Sequence, residues 1–218
     1  MSNLGHTVTL GRPKDLAKRL AILIAAKDLF LQLGYEGSSM DAIAQEAGVS
    51  KITVYNHYQD KENLFIAAIE HHCDNLLPSL DFDLKPDMAI ETALYNISIR
   101  FQHIIYSKEG LELHRLMCSM TQHNPQLVHN FFNAGPARVL KHMTRLLEQA
   151  QQQQKLAISN SNLAARQFLS LFCGHQHMRV LFEIEAAPNE AQQQQWAHDN
   201  IAFFVRAYTT LSELQIRF

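Results

Sequence analysis

From Pro13 onward, Leu16, Leu20, Leu23, Ala26, Phe30 and Leu33 recur at steps of four and three, a spacing that lines one face of an α-helix. Pro13 suits a first helical turn, and Gly34 a left-handed stop. A second helix is expected from Ser38, whose hydroxyl caps it while Asp41, three residues on, completes a capping box. Its inner face is Ile43, Ala44 and Ala47. Gly48 permits the positive φ that a tight reversal requires. Ser50 then caps a third helix, and Val49 before it staples onto Val54. A fourth helix follows Asp60, with Leu64, Phe65, Ala68 and Ile69 turned inward.

The periodicity breaks between Pro78 and Pro86, which predicts a domain boundary there. The expected domains are residues 12–77 and 87–218. In the second, helices are predicted near 87–107, 109–122, 125–153, 160–184 and 189–214, with Gly135-Pro136 kinking or restarting the third of them. No strand or strand–helix–strand pattern emerges, so the expected fold is all-α: a helix-turn-helix domain followed by a larger helical domain. The glutamine runs 151–154 and 192–195 are short and read as exposed helical surface.

On a helical wheel, Val54 and Tyr58 of the third helix share the inward face. Ile52 and Asn56 lie opposite, flanked by Thr53 and Tyr55, with Lys51 and His57 at the margins. A short helix carried on a glycine-containing turn, with a small and chemically mixed outer face, has the geometry that enters a DNA major groove. Asn56 suits adenine N6 and N7, and Thr53 a thymine methyl or a polar base edge. Tyr55, His57 and Lys61 suit phosphates. Ser39 and Met40, at the start of the second helix, complete the expected contact set on that side. Arg12, Lys14, Lys18 and Arg19, opposed only by Asp15, form a basic arm that follows phosphate or reaches a minor groove. Two reading helices must sit about 34–36 Å apart to meet successive major grooves, so a homodimer on a near-palindromic double-stranded operator is expected.

Composition narrows the rest. Lys and Arg number 19 against 21 Asp and Glu, a formal charge of -2, so any nucleic-acid surface must be local. The three cysteines form no CxxC pair and read as free thiols in a reducing cytosol. The opening residues lack a secretory pattern, and no apolar run reaches the roughly 18 residues of a membrane span, so a soluble, cytoplasmic protein without a membrane partner is expected. The sequence contains no GxSxG, HExxH, P-loop or glycine-rich dinucleotide turn, which argues against an enzyme and against a cofactor. Among 12 histidines, His114 and Cys118 share a helical face, yet no third and fourth ligand cluster with them, so no metal is expected.

The stretch GYEGSSMDAIAQEAGVSKITVYNHYQDKENLF, Gly34 to Phe65, with AILIAAKDLFLQLGY before it, resembles the TetR-family DNA-binding domain. Gly34-Tyr35, Ile43-Ala44, Ala47 to Ser50, Tyr55, Tyr58, Lys61-Glu62 and Leu64 stand at that family's signature positions. Ser38-Ser39 departs from the usual Thr-Thr, Tyr58 from Phe, and Ile52 from the usual small residue or proline, so operator preference does not transfer. The stretches NPQLVHNFFNAGPARVL and NLAARQFLSLFCG are similar, more weakly, to the C-terminal domain of an efflux-regulating subgroup. The resemblance implies a homodimeric regulator, usually a repressor, here of an efflux or stress gene. It also implies a C-terminal domain that binds a small molecule and releases the operator through the fourth helix. The alternative is a DNA-tethered protein that acts on a partner other than transcription.

Two sets of residues follow for the C-terminal half. Aromatic and methionine side chains from several helices, Phe101, Met117, Met120, Met143, Phe168 and Phe172, with Phe131 beside them, are the expected lining of a pocket for an apolar or cationic effector. Glu112, Glu183 and Glu185 are the candidate counter-charges. The last two helices carry more apolar surface than a monomer needs, so Leu169, Val180, Trp196, Phe203, Phe204 and Tyr208 are the expected dimer interface.

Overall fold

The computed structural model describes residues 13–209, which form eleven α-helices and one 3-10 turn, with no strand among the described residues. The chain divides into two compact units, Met1–His71 and His72–Phe218.

The first unit holds α1 (Pro13–Gly37), α2 (Met40–Glu46), α3 (Lys51–Tyr58) and the start of α4 (Lys61–Leu76). Its core forms around three rings: Phe30 meets Phe65 edge-on at 5.0 Å, and Tyr35 meets Phe65 at 5.3 Å. Ile22, Ala26, Ile43, Val54 and Leu64 close around them and are fully buried. The expected apolar face of α1 is therefore only partly inward: burial begins at Ile22, while Leu16, Leu20 and Leu33 stay exposed. Gly34 interrupts α1 with φ 75° and ψ 170°. The positive φ is as expected, but that ψ lies outside the left-handed helical region and belongs to backbone that essentially only glycine adopts.

Past that break the two serines take different jobs. Ser38 is buried, and its hydroxyl lies 2.8 Å from the Gly34 carbonyl and 3.1 Å from that of Leu29. Ser39 is the residue that caps α2, its Oγ accepting from the Ala42 amide at 3.1 Å. The expected cap thus moves one residue along.

The second unit contains the 3-10 turn Leu77–Leu80, α5 (Ile90–Tyr106), α6 (Lys108–Met120), α7 (Pro125–Ala134), α8 (Pro136–Gln152), α9 (Ser161–Cys173), α10 (His175–Leu181) and α11 (Glu190–Ala207). Helix α5 packs on α11 and α8 on α9, around a core that includes Leu94, Ile97, Leu146, Leu147, Phe168 and Phe204. The stretch expected as a boundary belongs to this core, because Leu77, Leu80 and Leu84 are buried in it. The restart at Gly135-Pro136 is as the sequence predicts. A second break, at Gly174, divides the helix expected over 160–184.

Asn189 and Gln192 form a reciprocal capping box on α11, each side chain accepting from the other's backbone amide at 2.9 Å. Gln193 departs from the exposed-surface expectation. It is buried, and its backbone carbonyl accepts from the Gln102 side chain at 3.0 Å. The last expected residues of the final helix, beyond Thr209, lie outside the described residues.

Candidate nucleic-acid interface and ligand cavity

The reading head is built from short-range contacts. Ala47 and Val49 donate their amides to the Ile43 and Ala44 carbonyls at 2.9 and 3.0 Å. Gly48, at φ 66°, reverses the chain between them. Ser50 caps α3 by accepting from the Thr53 amide at 3.2 Å. With Val54 and Tyr58 buried, α3 presents Lys51, Ile52, Tyr55 and Asn56 to solvent, Ile52 at 71% exposure. So prominent an apolar side chain, on a helix whose other outward groups are polar, is suited to a thymine methyl.

Some expected contact residues are engaged inside the unit. Lys51 reaches both carboxylate oxygens of Asp41 at 2.8 Å, bracing α3 against α2, and this bond raises its pKa. The Thr53 hydroxyl is 2.8 Å from that of Ser50. His57 Nε2 lies 3.3 Å from Asp15. Ser39 and Lys14 are exposed. Met40 does not face outward: it is 6% exposed, on the inner face of α2 with Ile43 and Ala44, so its side chain packs the core. Arg12 lies outside the described residues.

Lys61 serves the fold as well. Its ammonium donates to the Tyr35 carbonyl at 2.9 Å and the Ser38 carbonyl at 3.3 Å, and sits 4.3 Å from the Tyr35 ring centroid. It thereby ties the segment after the Gly34 break to α4. Lys61→Met is expected to destabilise the first unit by about 1–2 kcal/mol, since two carbonyls lose a charged donor at a half-buried site. A fall in the thermal midpoint of the unit's helical signal checks this. An unchanged midpoint with a salt slope of DNA binding reduced by about one would instead make Lys61 a phosphate contact alone.

The second unit holds a partly open cavity of about 450 Å³. Leucine, isoleucine, valine and phenylalanine from α4, the 3-10 turn and α5 to α9 make its wall mostly apolar, with His72, Glu109, His114 and Arg166 among its polar side chains. Of the six expected lining residues only Phe101 takes part; Phe131 does too. Met143 and Phe168 are fully buried and Phe172 nearly so, Phe168 packing against Phe172 and Phe204 at 5.4 and 5.2 Å. Met117 and Met120 are buried in α6 away from the cavity wall. These five serve as core.

The expected dimer set divides similarly. Leu169 lines the cavity. Val180 and Phe204 are 3% and 2% exposed, buried in their own unit and so not available to a second chain. Trp196 and Tyr208 are half-buried against the core. Phe203 is outward, at 65% exposure. The exposed residues Leu163, Met178, Phe182 and Ile184, on and just after α9 and α10, add further apolar surface.

The candidate counter-charges are engaged elsewhere. Glu183 pairs with Arg115 at 3.3 Å, Glu185 with Arg179 at 2.6 Å, and Glu112 with Lys108 at 3.8 Å. None of the three lines the cavity. His114 packs edge-on to His177 at 5.3 Å and to Phe131 at 6.4 Å. Burial pushes the His114 imidazole below its usual pKa, and burial followed by the nearby His114 pushes His177 down to about 4. Both rings are therefore neutral at neutral pH. No cluster of three or more His, Cys, Asp or Glu placed to hold a metal occurs among the described residues. Among them, too, no helix is long and apolar enough to cross a membrane.

A capped helix-turn-helix with an exposed, chemically mixed reading face defines a DNA-binding protein. Residues 22–68 match the family model for bacterial regulatory proteins of the tetR family, and residues 92–210 match that for the C-terminal domain of AefR-like transcriptional repressors. The chain belongs to the TetR family of transcriptional regulators, which are not enzymes.

The transcriptional activator FasR of Mycolicibacterium smegmatis is 43% identical over 65 residues, 30% of this chain and 29% of FasR. This chain thus matches under a third of FasR's length. The regulator SrpR of Pseudomonas putida is 24% identical over 156 residues, 72% of this chain and 70% of SrpR. Among solved structures, the flavonoid-responsive regulator FrrA superposes with a TM-score of 0.77 at 28% identity, over 89% of this chain and 98% of FrrA.

Proposed function

We propose that this chain is a cytoplasmic repressor that binds a near-palindromic operator as a homodimer and leaves it when a small molecule fills the cavity. The observation that carries the reading is the pairing, in one chain, of an exposed reading helix with a partly open, mostly apolar cavity of about 450 Å³. That volume lies within the roughly 300–1,000 Å³ typical of small-molecule sites. The matched repressor domain supports repression, and the likeness to a flavonoid-responsive regulator supports a small-molecule effector. The match to an activator spans only the DNA-binding part, so it bears on how DNA is held rather than on the outcome for transcription.

Dimerisation is supported by the exposed Leu163, Met178, Phe182, Ile184 and Phe203, large apolar side chains that a second copy would cover. Reading on DNA falls to Ile52 and Asn56, with phosphates held by Lys14, Lys51, Tyr55, His57 and Lys61, whose ammonium also lies 3.9 Å from Glu36. Arg12, Ser39 and Thr53 extend the same surface.

The test is a titration of the full chain into labelled DNA from upstream of its own gene, at two salt concentrations, against non-specific duplex. Tight, salt-sensitive, competitor-resistant binding by two protomers is expected, and binding no better than to the competitor would overturn the reading. In the same assay Asn56→Ala is expected to cost about 1–3 kcal/mol on the preferred operator and much less on operators altered at the base it reads. An equal loss on every operator variant would show that Asn56 reads no base.

A further inference from the structure

The cavity's walls are mostly apolar, with His72, Glu109, His114 and Arg166 set among them, and its two small hydroxyls have already spent their protons. Ser107 donates to the Ile104 carbonyl at 2.8 Å, and Ser170 to the Arg166 carbonyl at 2.8 Å. His114 differs. Its Nδ1 lies 2.9 Å from the Gly110 carbonyl, which can only accept, so Nδ1 carries the ring's proton. With the ring neutral, Nε2 is then a bare acceptor, and no hydrogen bond to it is found among the described residues. His114 lines the cavity alongside Phe101, Ile104, Leu113 and Phe131, so a ligand there that donates a hydrogen bond can use this acceptor beside apolar walls.

We propose that His114 is the specificity residue of the cavity, accepting a hydrogen bond from the hydroxyl of an uncharged, flat aromatic effector of the phenol class held against Phe101 and Phe131. The inference rests on the ligand-released reading above and names the effector class for it. The aromatic walls favour offset or edge-on packing of a ring over an aliphatic chain. Glu112, Glu183 and Glu185 are paired outside the cavity, and Glu109, the acid that does line it, is already engaged, which weighs against a cationic effector. Arg166, an exposed residue of the lining, makes a simple carboxylate the competing class, and the test separates the two.

The test uses the full chain and three probes in equilibrium dialysis: 7-hydroxyflavone, 7-methoxyflavone and decanoate. The methyl ether cannot donate and is larger by one methyl, so His114→Phe, which removes only the acceptor, separates the lost hydrogen bond from size. Wild-type protein is expected to bind the hydroxyl form about tenfold more tightly than its methyl ether, the scale of one hydrogen bond. His114→Phe keeps a ring edge-on to Phe131 but has no acceptor, so it should bind both flavones alike. His114→Gln, which restores an acceptor, should recover part of the preference. Equal binding of the two flavones by wild type, a preference that survives in His114→Phe, or binding of decanoate alone would each overturn the proposal. Release of operator DNA by decanoate would leave the ligand-released repressor standing while removing this effector class. Failure of every probe to bind would overturn the class as well, and operator binding without ligand would then be judged separately.

Discussion

Gly110→Ala is expected to destabilise the second unit by about 3 kcal/mol, at the upper end of what overpacking costs. In an ordinary helix the same change stabilises by about 1 kcal/mol, so the sign alone is a test. A methyl at Gly110 would lie 2.1 Å from the Ile104 carbonyl oxygen and 3.2 Å from its carbon. Both are backbone atoms at the end of α5, and the corner cannot open to admit the methyl. Ser107 fixes it from two sides, donating its hydroxyl to Ile104 O at 2.8 Å and accepting from the Gly110 amide at 2.9 Å. Relief therefore requires a shift of α6 as a body, and α6 carries the buried Leu111, Leu113, Leu116 and Met117.

The check is urea denaturation followed by the fluorescence of Trp196, the chain's single tryptophan, which belongs to the second unit. Affinity for a cavity ligand should fall with the midpoint, because Leu113 and His114 stand on the displaced helix. Gly135→Ala is the control. There the nearest atom is the Cys73 sulfur at 3.0 Å, the end of a side chain rather than backbone, and the change should cost under about 1 kcal/mol. A midpoint for Gly110→Ala equal to that of wild type would show that the corner yields.

How much of this was legible in the sequence follows from the range of the interactions involved. The reading head was nearly complete, because its determinants act over three or four residues: Ser50 on Thr53, the reversal at Gly48, and the inward pair Val54 and Tyr58. Its errors are of one residue or one face. Two adjacent serines look equivalent until the unusual ψ of Gly34 decides which is buried, and that makes Ser38 a brace and Ser39 the cap. Met40 looked available from its place at the start of α2, but a helix start can still face inward.

In the second unit the helices were legible and their neighbours were not. Periodicity marks an apolar face without saying whether core, cavity or a second chain covers it. Leu169 and Phe168 adjoin in sequence, yet one lines the cavity and the other is fully buried. The break at Gly135 carried a proline to announce it, whereas Gly174 stands alone within an apolar run that resumes beyond it. Gly110 is the extreme case. Its necessity comes from the Ile104 carbonyl across the α5–α6 corner, which no local pattern reveals.

Gly48→Val is expected to fail for the opposite reason. A side chain there would meet nothing within 4 Å, so space is not in question. The backbone is: φ is 66°, where a β-branched residue is a genuine outlier and the strain amounts to about 1–3 kcal/mol. The strain falls on the reversal between α2 and α3, where the Val49 amide reaches back to Ala44. Relaxing it rotates or frees the whole reading helix rather than any one contact. Binding should therefore weaken by tenfold or more on every operator variant alike, about 1.4 kcal/mol for each factor of ten. Asn56→Ala, by contrast, should change which operator is preferred.

Gly48→Asn separates strain from any loss specific to glycine, because asparagine enters left-handed conformations far more readily than valine. It should retain most of the wild-type affinity and thermal stability. Wild-type affinity in Gly48→Val would mean that α3 holds its place without the reversal, and the inter-helix bond of Lys51 to Asp41 would then be the contact to remove next. Loss in both variants would mean that the turn backbone itself approaches the DNA too closely for any side chain.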